Sequence, residues 1–323
     1  MRQTVKEGMD TRWNGAAAGA ERRRYRHKRL LLMNVPLMMM FIPVALYFAI
    51  FKYAPMVGLV MAFKQYSLAD GIWASPWVGL QNFELLFSNP QMLNIIRNTL
   101  VLSLLKLIVG FPFPIVLAIL LNEVRRAWFK KVAQTLVYLP HFLNWVIVGG
   151  MVITLFSLES GLVNKGLELL LGYRYAFLYN ELSWIAVYLG SGIWKEAGFS
   201  AIIYLAAITA IDPGLYESAS LDGANKWKQM WHITLPGIRP TIVILLILST
   251  EGVMDLGFDQ IYMLQNRVVN NIADVIPTYM YRMGIQGGQF SLTTAMGLFS
   301  SLVGLVMITI SNQIAKRFNQ SLW

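Results

Sequence analysis

Six long apolar segments dominate this sequence and restrict it to one fold class. Each holds roughly 20 predominantly apolar residues, enough to cross the hydrocarbon core of a bilayer as an α-helix; their predicted bounds are 30–51, 99–121, 132–156, 183–209, 240–258 and 292–314. Hydrophobic residues make up 56% of the chain and charged residues only 14%, a composition too apolar for an ordinary soluble domain. The sequence therefore predicts an all-α membrane protein with six transmembrane helices.

Lysine and arginine are distributed unevenly between the predicted loops. Residues 1–29 form a basic arm, which we expect to lie in the cytoplasm and to meet the anionic head groups of the lipid bilayer. The loops on the same side of the membrane carry most of the other basic residues. Six spans place both termini on one side, so the positive-inside rule predicts two cytoplasmic termini. This arrangement explains most of the net charge of +10 without nucleic acid or an acidic substrate.

Residues that carry chemistry are scarce. The chain has no cysteine, and His27, His141 and His232 are too far apart to form a metal-ligand motif. A G-x-x-x-x-G-K-[ST] phosphate loop is also absent from the sequence. We therefore expect no catalytic residue, no metal site and no cofactor in this chain, and any energy from ATP must come through a partner.

A polar segment, residues 212–236, separates the fourth predicted span from the fifth. Asp212 and Pro213 predict the start of a helix, because aspartate caps free amides and proline needs no amide partner in a first turn. Gly223 can adopt the left-handed conformation that ends this helix. A second short helix is expected at about 224–232, with Pro236 stopping it. The segment thus predicts a bent helical hairpin outside the bilayer, built to contact another protein.

Six residues of this segment follow the pattern E-x-A, three residues, G, nine residues, I-x-L-P; they are Glu217, Ala219, Gly223, Ile233, Leu235 and Pro236. The pattern resembles the cytoplasmic EAA loop of permease subunits of ABC importers, with Ser218 where the loop's name has alanine. Residues 204–207 and 211–213 resemble the corresponding residues of the carbohydrate-uptake branch of these permeases. The resemblance implies a type I ABC importer permease fold over residues 30–323. It also implies that the loop docks on an ATPase, with Glu217 offering a charge and Gly223 shaping the bend.

The same resemblance implies a set of partners in a bacterial inner membrane. These are a second, homologous permease in a heterodimer, two ATP-binding subunits that hold ATP and Mg, and an extracytoplasmic solute-binding protein. The chain would then carry a carbohydrate inward by alternating access. The expected substrate is an oligosaccharide, including acidic ones such as alginate or pectin fragments. An amino-acid or peptide importer of the same architecture remains an alternative. So does an ion-gradient-driven secondary transporter, although such a protein would have no use for the EAA loop.

Ionisable residues inside the predicted spans are candidates for the translocation path. Each costs about 2.5–3.5 kcal/mol at mid-helix on insertion scales, so such residues normally face a protein interior or a watery cavity. Glu251 and Asp255 are four residues apart and are expected on one face of the fifth span, a repulsive arrangement unless a cation is near. We expect Lys195 or Lys106 to offset this pair. The alternative is a buried ion pair that does not contact substrate.

Aromatic residues near the middle of the spans extend this candidate path. Sugars bind to aromatic faces and to dense hydrogen-bonding groups, and transporters commonly place their site near the midplane. The candidates are Asn144 and Trp145 in the third span and Trp194 in the fourth. Tyr188 belongs to a predicted face of the fourth span with helical spacing, formed by Trp184, Tyr188, Ser191 and Lys195. We expect this face to point into the protein.

Overall fold

The computed structural model describes residues 34–317, which divide at Val60 into two compact units. The basic arm of residues 1–29 lies outside the described residues. The first unit holds most of helix α1, Asn34–Phe63, which is long and apolar enough to span a membrane. This helix changes to π-helical geometry at Ala49–Tyr53 and to 3-10 geometry at Ala54–Phe63. It therefore continues well beyond the predicted end at residue 51.

The second unit is built from helices joined by short connections. They are α2 Gly71–Ala74, α3 Gln81–Ser88, α4 Pro90–Glu123, α5 Ala127–Phe142, α6 Trp145–Phe156, α7 Leu162–Leu171, α8 Glu181–Thr209, α9 Pro213–Leu221, α10 Lys226–Thr250, α11 Phe258–Leu264, α12 Asn270–Ala273, α13 Ile276–Met280 and α14 Phe290–Lys316. Within the described range, four helices can span a membrane unaided, namely α1, α4, α10 and α14, and two bent pairs raise the number to six. The predicted all-α class is confirmed.

Helix α8 lies in the centre of the second unit and packs against α4, α5 and α10. Its predicted inward face is confirmed, because Trp184, Tyr188, Ser191 and Lys195 are all buried. The Trp184 and Tyr188 rings stack with centroids 5.4 Å apart, and the Trp184 indole N–H donates to the Leu264 carbonyl at 2.9 Å. These contacts fix α8 against α11, so residues on this face have well-defined positions.

The third predicted span, 132–156, is not one straight helix. Helices α5 and α6 meet at an angle of 103°. Pro140 lies in the 3-10 turn that ends α5, and the Asn144 side chain starts α6 by accepting a hydrogen bond from the Val146 amide at 2.8 Å. The predicted span is therefore a bent pair of helices, because a proline and an asparagine side-chain cap together end one helix and begin another.

The polar segment 212–236 folds partly as predicted. The Asp212 carboxylate accepts from the Gly214 amide at 2.9 Å at the start of α9, and Gly223 has φ +76° just after its end. Pro236, however, does not stop the second helix, because α10 runs through it. A π-helical turn at Met230–Thr234 precedes Pro236 and places it in the first turn of the next α-helical stretch, where its missing amide is tolerated.

The fifth predicted span, 240–258, ends earlier than expected. Helical hydrogen bonding changes to a 3-10 turn at Gly252–Met254, and Asp255 lies beyond it, with its carboxylate accepting from the Gly257 amide at 3.2 Å. Glu251 and Asp255 therefore do not lie one turn apart on one helix face, since glycine at 252 interrupts the helix between them. The side chain of Glu251 lies outside the described residues.

Candidate functional site

A cavity of about 420 Å³ lies between α4, α8 and α10 in the second unit. Most of its wall is apolar or aromatic. The polar residues in its lining are Ser103, Lys106, Tyr188, Glu196, Ser200, Ser249, Asp255 and Gln260. An apolar pocket with a few polar groups that converge on it is the usual form of a small-molecule site.

Lys106 comes from an irregular part of α4. A π-helical turn at Lys106–Gly110 interrupts the helix, and turns of this kind are frequent at functional sites. The Lys106 ammonium group donates to the Leu256 carbonyl at 3.2 Å. One turn earlier, the Ser103 hydroxyl donates to the Val253 carbonyl. These two bonds hold α4 against the irregular segment that follows α10.

A cluster of charged groups lies where the α5–α6 bend meets α8. The Lys195 ammonium group contacts a Glu196 oxygen at 2.8 Å and donates to the His141 carbonyl at 3.0 Å. The other Glu196 oxygen is 2.7 Å from His141 Nδ1. The Phe199 ring stacks on His141 with centroids 3.9 Å apart, and the Lys195 ammonium lies 5.2 Å from the centre of the Trp145 ring. Lys195 is therefore neutralised by its neighbour on α8.

Lys195 was one of two lysines expected to offset Glu251 and Asp255. Its contacts among the described residues are to Glu196 and to the bend. The other lysine, Lys106, lines the same cavity as Asp255, and its pairing with Glu251 and Asp255 stays a prediction. Contacts of this kind depend on which helices meet in space, and spacing along the sequence does not contain that information.

The remaining candidates for the path occupy different surroundings. Tyr188 lines the cavity, whereas Asn144 caps α6 at the bend and Trp145 packs beside the core of buried residues. Trp194 is half exposed and lies outside the cavity lining. Gln260 is a cavity residue that sequence reasoning missed, because the fifth span was expected to end just before it.

Side-chain hydrogen bonds within the polar segment 212–236 fix its two helices against each other. The Tyr216 hydroxyl lies 3.0 Å from the Thr234 hydroxyl, and the Gln229 side-chain amide donates to the Ser220 hydroxyl at 2.8 Å. These bonds tie α9 to the start of α10. The exposed Glu123–Lys226 pair, 3.2 Å apart, links the same region to the end of α4.

The outer surface of this segment is unusually apolar for an exposed loop. Its large exposed side chains are Leu215, Leu221, Trp227 and Trp231, with exposed fractions from 53% to 91%. Among the matched residues, Glu217, Gly223 and Pro236 are exposed, and Ala219, Ile233 and Leu235 are half-buried. Where such exposed residues form a contiguous apolar patch, the patch marks an interaction surface.

Comparison with known proteins agrees with this architecture. The chain is 47% identical over 298 residues to the "Polygalacturonan/rhamnogalacturonan transport system permease protein YteP" of Bacillus subtilis (strain 168), covering 91% of this chain and 93% of the relative. A solved bacterial ABC transporter involved in the import of the acidic polysaccharide alginate has 43% identity and a TM-score of 0.84, covering 90% of this chain and 99% of that one.

A second solved structure is a bacterial alginate ABC transporter in complex with an alginate pentasaccharide-bound periplasmic protein; it has 42% identity and a TM-score of 0.83, covering 90% of this chain and 96% of that one. Residues 110–322 match the family described as "Binding-protein-dependent transport system inner membrane component". The chain therefore belongs to this family of ABC importer permeases and has the type I importer permease fold.

Proposed function

We propose that this chain is the membrane-spanning subunit through which an ABC importer moves an acidic oligosaccharide into the cytoplasm. The observation that carries this proposal is the identity above 40%, over about nine tenths of the chain, to transport proteins named for polygalacturonan and alginate. Both names denote polymers of carboxylated sugars. The lining of the cavity suits such a ligand, because aromatic faces stack on sugar rings and hydroxyl and amide groups bond to their oxygens.

The segment 212–236 is proposed as the contact through which ATP hydrolysis drives transport. ATP and Mg would be held by two partner subunits, since this sequence contains no phosphate loop. The exposed apolar residues of the segment would enter a groove on an ATPase, and Glu217 would add a charged contact at its edge. Closure of the ATPases would then favour one of two conformations of the spans, and release would favour the other.

The other proposed partners are those of the family, and the proposed orientation of the chain in the membrane rests on the distribution of its basic residues. We propose a heterodimer with a second, homologous permease and, outside the membrane, a solute-binding protein that delivers the oligosaccharide. The binding-protein complex of the similar alginate transporter supports the last of these. Both termini and the segment 212–236 would be cytoplasmic, where the ATPases are, as the excess of lysine and arginine on that side indicates.

Reconstitution of the importer tests the proposal. The chain is co-expressed with the permease, ATPase and binding protein encoded beside it, and placed in liposomes. ATP-dependent uptake is measured with trigalacturonate, maltotriose and a glutamine tripeptide as probes. We expect trigalacturonate to accumulate only with ATP. Preferential uptake of the tripeptide, or uptake that follows an imposed proton or sodium gradient without ATP, would refute the proposal in favour of the two alternatives.

A further inference from the structure

We propose that Lys106 binds the carboxylate of an acidic sugar in the cavity and thereby makes transport selective for acidic over neutral oligosaccharides. The inference rests on the proposed function and adds a specificity-determining residue to it. It is carried by the position of the lysine in the cavity wall, by the single bond that its ammonium group makes among the described residues, and by the bonds that the other charged residues of the wall make away from it.

The Lys106 ammonium group has capacity to bind a ligand. An ammonium group has three N–H donors, and the structure shows one of them bonded, to the Leu256 carbonyl at 3.2 Å. Among the described side chains, no carboxylate lies within 4 Å of it. A lysine in a membrane span is costly and normally has a function. Among the described residues, one of the three N–H donors of Lys106 has a partner, and the lysine lies in the wall of the cavity.

The other charged groups of the wall are engaged elsewhere. Glu196 is bonded on one oxygen to Lys195 and on the other to His141, so its charge is already balanced. Asp255 accepts a bond from the Gly257 amide. Lys106 is thus the cation among the described residues of the lining. An anionic ligand entering this cavity needs a cation to compensate its lost hydration, and Lys106 supplies it.

Uncharged groups near Lys106 suit the rest of a sugar ring. Tyr188 also lines the cavity, is 1% exposed, and has a hydroxyl without a hydrogen-bond partner among the described residues. A buried polar group without a partner is costly, and a sugar hydroxyl would satisfy it. Phe111 and Tyr204 form an edge-to-face pair in the same wall, with centroids 6.5 Å apart, and offer an aromatic surface for stacking.

The test compares two probes that differ in charge and little else, trigalacturonate and its fully methyl-esterified form. Uptake of each is measured in the reconstituted importer, and the ratio of the two rates is the readout. We expect Lys106→Gln, which keeps a donor for the Leu256 carbonyl but removes the charge, to lower the ratio of acid to ester uptake about tenfold or more. Lys106→Arg should retain the preference for acid. Lys165→Gln, at an exposed lysine of α7, is the matched control and should keep the wild-type ratio.

A second variant keeps the proposal testable if Lys106→Gln does not assemble. Asp255→Asn removes a carboxylate from the wall of the same cavity, where it would repel an acidic sugar, and should raise the ratio of acid to ester uptake. An unchanged ratio in the variant that assembles, or an equal fall in Lys165→Gln, would overturn the role of Lys106. If the wild type imports neither probe, the proposed function itself fails, so the two failures are distinguishable.

Discussion

Replacing Gly198 by alanine should force α8 away from α5. A Cβ atom at this position would lie 1.9 Å from the Val137 carbonyl oxygen and 2.5 Å from its carbon. Both atoms belong to backbone, so one helix has to move by about 1.5 Å or more to restore ordinary contact, and overpacking of this kind costs about 1–3 kcal/mol. His141 follows Val137 by one turn of the same helix, so its bonds to Lys195 and Glu196 should lengthen as well.

Gly190 provides a matched control on the same helix. A Cβ atom there has no neighbour within 4 Å, and alanine should favour the helix by up to about 1 kcal/mol. Thermal unfolding of the two variants in detergent, followed by tryptophan fluorescence, makes the comparison. We expect a lower melting temperature for Gly198→Ala and an equal or higher one for Gly190→Ala. Equal melting temperatures for Gly198→Ala and the wild type would refute the close approach of α5 and α8.

Two further predictions concern other parts of the second unit. Gly223→Val should weaken co-purification of the ATPase more than Gly223→Asn does. The φ angle at this position is +76°, and a left-handed conformation costs an L-residue about 1–2 kcal/mol, although asparagine adopts it more readily than valine. Equal co-purification of the ATPase with both variants would contradict this prediction. Arg282→Gln removes the ionic partner of the buried Asp274 carboxylate at 2.6 Å. Because Arg282 is partly exposed and the Thr278 hydroxyl still donates to Asp274, it should destabilise the protein by about 1–3 kcal/mol in a melting experiment. Adding Asp274→Asn should recover part of that loss, and a double variant less stable than the single one would count against the pairing.

Much of the fold could be predicted because it depends on local or periodic features. The length of the apolar segments indicated the spans, and helical spacing identified the inward face of α8. Asp212 and Gly223 marked the two ends of α9, since capping and a left-handed backbone are properties of individual residues. These features act within a few residues along the chain, so the sequence displays them directly.

The bounds of the third and fifth spans were predicted less well, because the backbone geometry changes there within a continuous run of apolar residues. Pro140 and Asn144 break the third span although apolar residues continue on both sides, and Gly252 separates Glu251 from Asp255 before the predicted end of the fifth. The wall of the cavity was harder still to predict. The contacts of Lys195 with Glu196 and with the distant bend, and the position of Lys106 in the cavity wall, depend on how the helices pack.

The coupling of this chain to ATP hydrolysis is tested most directly by one measurement. ATP hydrolysis by the reconstituted importer is recorded with and without binding protein loaded with trigalacturonate, for the wild type, for Glu217→Arg, and for Glu159→Arg in an opposite loop as a charge-matched control. We expect stimulation in the wild type and in the control, and loss of stimulation in Glu217→Arg. Undiminished stimulation in Glu217→Arg, or an ATPase that neither co-purifies with the wild type nor responds to the loaded binding protein, would contradict it.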